Sequence, residues 1–397
     1  MLRRITILTA VVLVFSACEL QAEVINSRWI GGAHGGWEVP SNWEPPIVPN
    51  NSDSQTFDVT ISGDVKVGLA EDHVIDQLDC YGNVELTKYR DWISLKLEDP
   101  NGLRNYGHLR TEIEMMHIHE NLDNSEGCTI EMCGSIEDEG DGNVENAGLI
   151  IIPTMSRLLF SRLYNVGQIV VFGGTCAIND FLDNDSNGII KGWGGVGGTI
   201  FLKNKGKIYA TGGGLGISIN GLFSNKGFIG NAPVTSVNVM HVGPISDANN
   251  LGTIEVNAGG GVAFDCNLVN EPNGIIKLLG GTLAATTIKQ AAGASFEGFG
   301  GITGNVVIDP DGIIRLTGPT NIVGDVTIEE NAELEISDGL VIVTCQTDCN
   351  GTIRIKGGRI VPQGGLSGDC NIIYEPSDYD SMEDLAILTD TWLWQVD

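Results

Sequence analysis

The chain has 397 residues, 42% of them hydrophobic and only 18% charged, with 54 glycines. Ile, Val and Leu recur too regularly for a disordered chain, and the length suits either two or three ordinary domains or one long repeat array. Twenty-two Lys and Arg stand against 51 Asp and Glu, a net charge of −29, which repels phosphate backbones and anionic lipid surfaces and argues against a nucleic-acid partner.

Residues 1–22 open with Arg3 and Arg4 and continue with an apolar run from Ile5 to Phe15, the pattern of a secretory signal. Two processing sites stand open. Leu20-Gln-Ala22 suits a general signal peptidase and is the one taken here; Phe15-Ser-Ala-Cys18 is an imperfect lipobox that would place a lipid on Cys18. The protein is therefore expected to be secreted or held at the cell surface, with no later segment long and apolar enough to span a bilayer. Eight further cysteines suit an oxidising compartment, and two close pairs, Cys128 with Cys133 and Cys345 with Cys349, are candidate disulfides.

Residues 23–56 carry Trp29, Trp37 and Trp43 among glycines and prolines, too broken for a long helix and suited to a turn-rich cap on the end of a stack. Exposed, the same tryptophans would be a weak candidate platform for sugar rings. The segment Trp29-Ile-Gly31-Gly32, Trp37, Asn42-Trp43 and Pro49-Asn50 resembles the entry segment of exported β-helix proteins of the autotransporter and planctomycete type. That resemblance implies a pectin lyase-like, adhesin-like architecture and carries no activity with it.

Residues 57–365 repeat. Asn-x-Gly-x-aliphatic recurs at Asn105, Asn146, Asn165, Asn204, Asn225 and Asn250; in later copies Asn or Asp abuts the glycine, as at Asn187-Gly188, Asn273-Gly274, Asp311-Gly312 and Asn350-Gly351. The period is about 20 residues, which predicts an all-β parallel β-helix, or β-solenoid, of stacked coils. Two residues after the glycine stand Leu109, Ile150, Ile169, Ile190, Ile208, Ile229, Ile254, Ile276, Ile314, Leu334 and Ile353, a column expected to line the core. The next position holds Arg110, Lys191, Tyr209, Glu255, Lys277, Arg315, Glu335 and Arg354, a row expected to face water. Gly is assigned positive φ at the corner, and the asparagines are expected to hydrogen-bond along the stack. Residues 135–145 and 231–248 break the pattern and are expected to be loops.

Asp183, Asp185 and Asn187 match the first half of a calcium loop, a weak candidate metal site, and Ca²⁺ is the one cofactor the sequence raises. No catalytic residue is assigned. Residues 366–397 end in Ser381-Met-Glu-Asp384 followed by Leu385, Leu388 and Trp392 at helical spacing. With Asp378 and Asp380 this resembles a degenerate dockerin-like tail, which implies docking to a scaffold. The calcium half departs from that pattern, with Ile372-Ile-Tyr after Asn371.

Function is expected to be that of an exported structural or adhesive β-solenoid contacting extracellular polysaccharide or a cell-surface component. The alternative is a β-helix polysaccharide lyase or glycoside hydrolase, which needs carboxylates and a cationic base on one outer face of adjacent coils.

Overall fold

The computed structural model describes residues 22–138, 141–241 and 247–375. Their regular structure is almost entirely strand, and their one helical piece is the short 3-10 turn Pro40–Asn42. The chain divides into two compact units, Met1–Gly142 and Asn143–Asp397. Each is a parallel β-solenoid with three strand-bearing faces.

In the first unit the coils are β1 (Glu23–Trp29), β2 (His34–Gly36) and β3 (Trp43–Glu44); β4 (Gln55–Ser62), β5 (Val65–Leu69) and β6 (His73–Ile75); β7 (Gln77–Tyr81), β8 (Asn83–Lys88) and β9 (Ser94–Leu97); β10 (Leu103–Asn105), β11 (His108–Thr111) and β12 (Met115–Ile118); and β13 (Asn121–Asn124), β14 (Thr129–Met132) and β15 (Ser135–Asp138). Parallel pairing joins β1, β4, β7, β10 and β13 on one face and β2, β5, β8, β11 and β14 on the second. The third face carries β6, β9, β12 and β15. Strand pairing thus begins inside the tryptophan-rich segment, where β3 folds back antiparallel on β1.

In the second unit the aliphatic column keeps one register from Ile150 to Ile353. Ile169, Ile190, Ile208, Ile229, Ile254 and Ile276 have no exposed surface. Phe296 belongs to this column, and in the first unit Ile130 pairs with Leu109. Counting from Gly127 and Gly293 misses both, because Cys128 and Ala294 occupy the place of the corner glycine there. The ladder beside the column alternates in sign: Glu255, Lys277, Glu297, Arg315, Glu335 and Arg354 are successive register partners. Arg315 Nε lies 3.4 Å and Lys356 Nζ 3.2 Å from Glu335, and Arg354 grips Glu333 with two nitrogens at 3.0 and 3.1 Å.

The asparagines do stack. In the second unit the side-chain amides of Asn146, Asn165, Asn184, Asn204, Asn225, Asn250 and Asn270 each donate to the next side-chain carbonyl at 2.7–2.8 Å, and the run ends on Gln290. Asn105 donates to Asn124 in the same way in the first unit. The ladder therefore runs through Asn184 and Asn270, with Asn187 and Asn273 placed in the turn that follows. Left-handed φ falls to such turn residues, as at Asn273 (74°), Asp311 (62°) and Asn331 (63°). The corner glycine has a different cause: a Cβ on Gly107 would lie 2.1 Å from the carbonyl oxygen of Gly82, and one on Gly206 equally close to that of Gly188. Coils touch backbone to backbone there.

Three expected boundaries move. Ser135–Asp138, Asn143–Asn146 and Ser236–His241 are strands, since their alternating residues fit the same faces despite their charge. Pairing continues past residue 365, where Asn371–Tyr374 runs parallel to Thr352–Ile355. The Ile372-Ile-Tyr that interrupts the dockerin-like pattern is a solenoid rung. The signal segment, except Ala22, and the helix expected after Ser381 lie outside the described residues.

Candidate functional site

Alternation along β5, β8 and β11 sends every second side chain outward, and parallel register lines these up in rows. One row reads His34, Lys66, Glu85, Arg110 and Glu131. Beside it Asn83 pairs in register with His108, and its amide donates to Asp64 Oδ1 at 2.7 Å. These residues, Glu131 excepted, line an open groove of about 260 Å³ on the outer face of the first unit.

The groove's charges are matched internally. Lys66 Nζ donates to Glu85 Oε1 at 2.7 Å, and that bond holds the ammonium above its ordinary pKa. Arg110 lies 2.9 Å from Glu112, and His108 is 3.8 Å from Glu131. What remains available is a mixed array of hydrogen-bond donors and acceptors with little net field.

Aromatic residues stand at both ends of these strands. Tyr81 and Tyr106, each immediately before the corner glycine that leads into β8 and β11, stack at 4.8 Å and 14° and are 41% and 38% exposed. Past the other end of β8, Tyr89 lays its ring over Gly68, where any side chain would collide with it. Trp92 follows at 85% exposure with φ of 64°, a conformation a bulky residue adopts only when its surroundings impose it. Lys88 and the backbone of Ile93 both bind Glu114, which anchors this loop.

Trp29, Trp37 and Trp43 are not the platform. All three are buried, packed edge to face at 4.8–5.1 Å, with their indole N–H groups donating to backbone carbonyls of Gly32, Pro49 and Trp37. They form the cap. Composition alone does not tell a buried indole from an exposed one, so nothing in the sequence separates Trp92 from Trp29, Trp37 and Trp43; for Tyr81 and Tyr106 the signal is their shared place before equivalent corner glycines.

Asp183 and Asp185 face lysines. Lys203 is 3.4 Å from Asp183, and Lys205 lies 2.9 Å from Asp185 and 3.9 Å from Asp183. Lys205 lowers the Asp185 carboxyl pKa, and Asn187 sits in the adjoining turn. These carboxylates are thus ion-paired with two lysines, and among the described residues no group of three or more His, Cys, Asp or Glu is arranged to hold a metal.

Neither expected disulfide forms. Cys128 and Cys133 flank the extended strand Thr129–Met132, a span of about 16 Å where a disulfide allows about 6 Å. Cys349 bonds Cys370 across neighbouring coils, with Cα atoms 4.9 Å apart, and leaves Cys345 free and exposed. Among the described residues no helix is long and apolar enough to cross a membrane. Compared with protein-family models, with curated proteins and with solved structures, the chain matches none.

Proposed function

We propose that this chain is an exported β-solenoid whose first unit binds a neutral extracellular polysaccharide along the β5, β8 and β11 face. The observation that carries this is the groove itself, with stacked tyrosines at one end of its strands and an exposed tryptophan loop past the other. Sugar rings present apolar faces that pack on aromatic side chains and hydroxyls that both donate and accept hydrogen bonds. A row of paired charges offers both kinds of partner without the excess of one sign that an anionic or cationic ligand requires. The net charge of −29 further disfavours polyanions.

A glycan array followed by titration calorimetry tests this. Tyr106→Ala and Trp92→Ala are each expected to weaken binding of the selected neutral glycan on the order of tenfold, with melting unchanged. Retention of neutral glycans by neither the wild-type chain nor any concentration of it would end the proposal. A second reading has one observation in its favour: Asp64 and Glu85 share the groove with Lys66, Arg110 and His108, the carboxylate and cation set that lyases and hydrolases need. Turnover of a polysaccharide that disappears in Glu85→Gln would establish that activity, and binding without turnover would leave the non-catalytic one.

A further inference from the structure

The corner that follows the aliphatic column of the second unit carries apolar side chains that the core does not use. Phe172 and Trp193 are register partners there, as are Leu279 and Phe299, and the four are 39–45% exposed. Trp193 rests between Gly173 and Gly213 of the neighbouring coils, where a Cβ would stand 2.4 and 3.1 Å from it; Phe299 rests likewise between Gly280 and Gly318, at 3.2 and 3.1 Å. Glycine thus clears a seat for each ring and leaves the rest of it to solvent. The backbone turns this corner through left-handed φ, supplied by Gly212, Gly259 and Gly280 at 77°, 72° and 89°. Met155 and Val234 hold the same conformation at 66° and 60° and are 94% and 80% exposed, bulky side chains set outward against a backbone cost.

The same corner is uncharged. Residues 172–175, 193–195, 211–214, 232–236, 257–261, 279–282, 299–301 and 317–321 include no Asp, Glu, Lys or Arg, in a chain with 51 acidic residues. At a strand spacing of about 4.8 Å, the edge from Phe172 to Phe299 is about 30 Å long. We propose that this edge binds the surface of an insoluble neutral polysaccharide. A projecting corner cannot enclose a single sugar chain, but its row of apolar side chains can lie against a flat array of sugar rings, whose C–H faces pack on aromatic side chains. With no charge on the strip, contact strips no ion of its water. Two other occupants fit less well. A second copy brings its own net charge of −29, and an edge built for membrane would flank its rings with Lys and Arg. The site belongs to the second unit and does not rest on the groove of the first.

Co-sedimentation of the full-length chain with microcrystalline cellulose and with chitin powder tests this. The wild type should be retained on at least one solid, and Trp193→Ala/Phe299→Ala should lower its partition at least about tenfold with an unchanged melting temperature. Tyr106→Ala, in the first unit, should be retained like the wild type. Hydroxyl-radical footprinting of the wild type gives a readout that needs no variant to fold: Met155 and Trp193 should be oxidised several-fold more slowly in the bound fraction than in the free one. Retention on neither solid, equal retention of the double variant, or unchanged oxidation on binding would each overturn the proposal. Loss of retention in Tyr106→Ala alone would overturn it in favour of the groove. Flotation with phosphatidylcholine vesicles, or a dimer in sedimentation, that disappears in the double variant would instead assign the edge to lipid or to a second copy.

Discussion

At the scale of single residues, the asparagine ladder is where polar chemistry most constrains this chain. Asn204 accepts from Asn184 at 2.7 Å, donates to Asn225 at 2.8 Å and donates to the Phe228 carbonyl at 3.1 Å, all without exposed surface. Removing it strands a donor below and an acceptor above in a medium that cannot supply water. Asn204→Ala should therefore lower stability by roughly 1–3 kcal/mol in urea titration, against a negligible change for the exposed Asn220→Ala. Equal effects from the two substitutions would mean the ladder is incidental to stability. Where the ladder gives out, the same position turns apolar: Gln290 is followed in register by Ile308, Ile328 and Cys349, and Asn105 is preceded by Cys80 and Ile61. Burial keeps the Cys80 thiol far above its ordinary pKa, so it acts there as a small hydrophobe.

At the scale of strands and coils, most of the architecture was written in the period. Burial on one side of a strand forces alternation, and stacking forces the alternation into fixed register, so the spacing of Ile190, Ile254 and Ile276 in the sequence is enough to imply a column. Pairing between coils was less legible, because two kinds of corner share a glycine but place it one residue apart. Gly127 and Gly293 thus hid Ile130, Phe296 and Glu297, and the alternating sign of the charge ladder with them. The disulfide failed for the same reason: Cys349 and Cys370 are 21 residues apart and adjacent only through the register. That bond closes the last coil of the described residues. Cys370→Ser should cost about 3 kcal/mol by the chain-entropy estimate for a loop of this length. The loss should appear as faster exchange in Gly358–Pro362 and Asn371–Tyr374 while the column from Ile254 to Ile314 keeps its protection; uniform loosening of all these strands would show that the bond holds more than its own coil.

At the scale of the whole molecule, the excess of acidic groups sets the response to pH, and three kinds of carboxylate pull in different directions. Burial raises the Asp58 value, and Asp76, Asp99 and Asp79 raise it further, so this group destabilises the fold when charged and ceases to do so as pH falls through its elevated value. General self-repulsion among 51 acidic residues likewise eases on acidification. Glu38 opposes this. Burial pushes its carboxyl up, but hydrogen bonds from the Ala70 backbone and from His73 outweigh that and hold it below the ordinary value. Glu335 is also raised by burial and lowered by more through Ser337, Lys356 and Arg315. A depressed carboxyl contributes stability that is fully present above its unfolded value of 4.5 and is lost only as pH falls through the lower folded value. The favourable changes therefore come first. In low salt, the melting temperature should rise or hold from about pH 8 to about pH 5 and drop only below about pH 4. Adding salt to about 0.5 M should lift the alkaline side most, since the repulsion acting there is the most exposed and the most readily screened. A melting temperature that falls steadily from pH 8 to pH 5 would mean that neither the crowded carboxylates nor general self-repulsion governs the stability of this chain near neutrality.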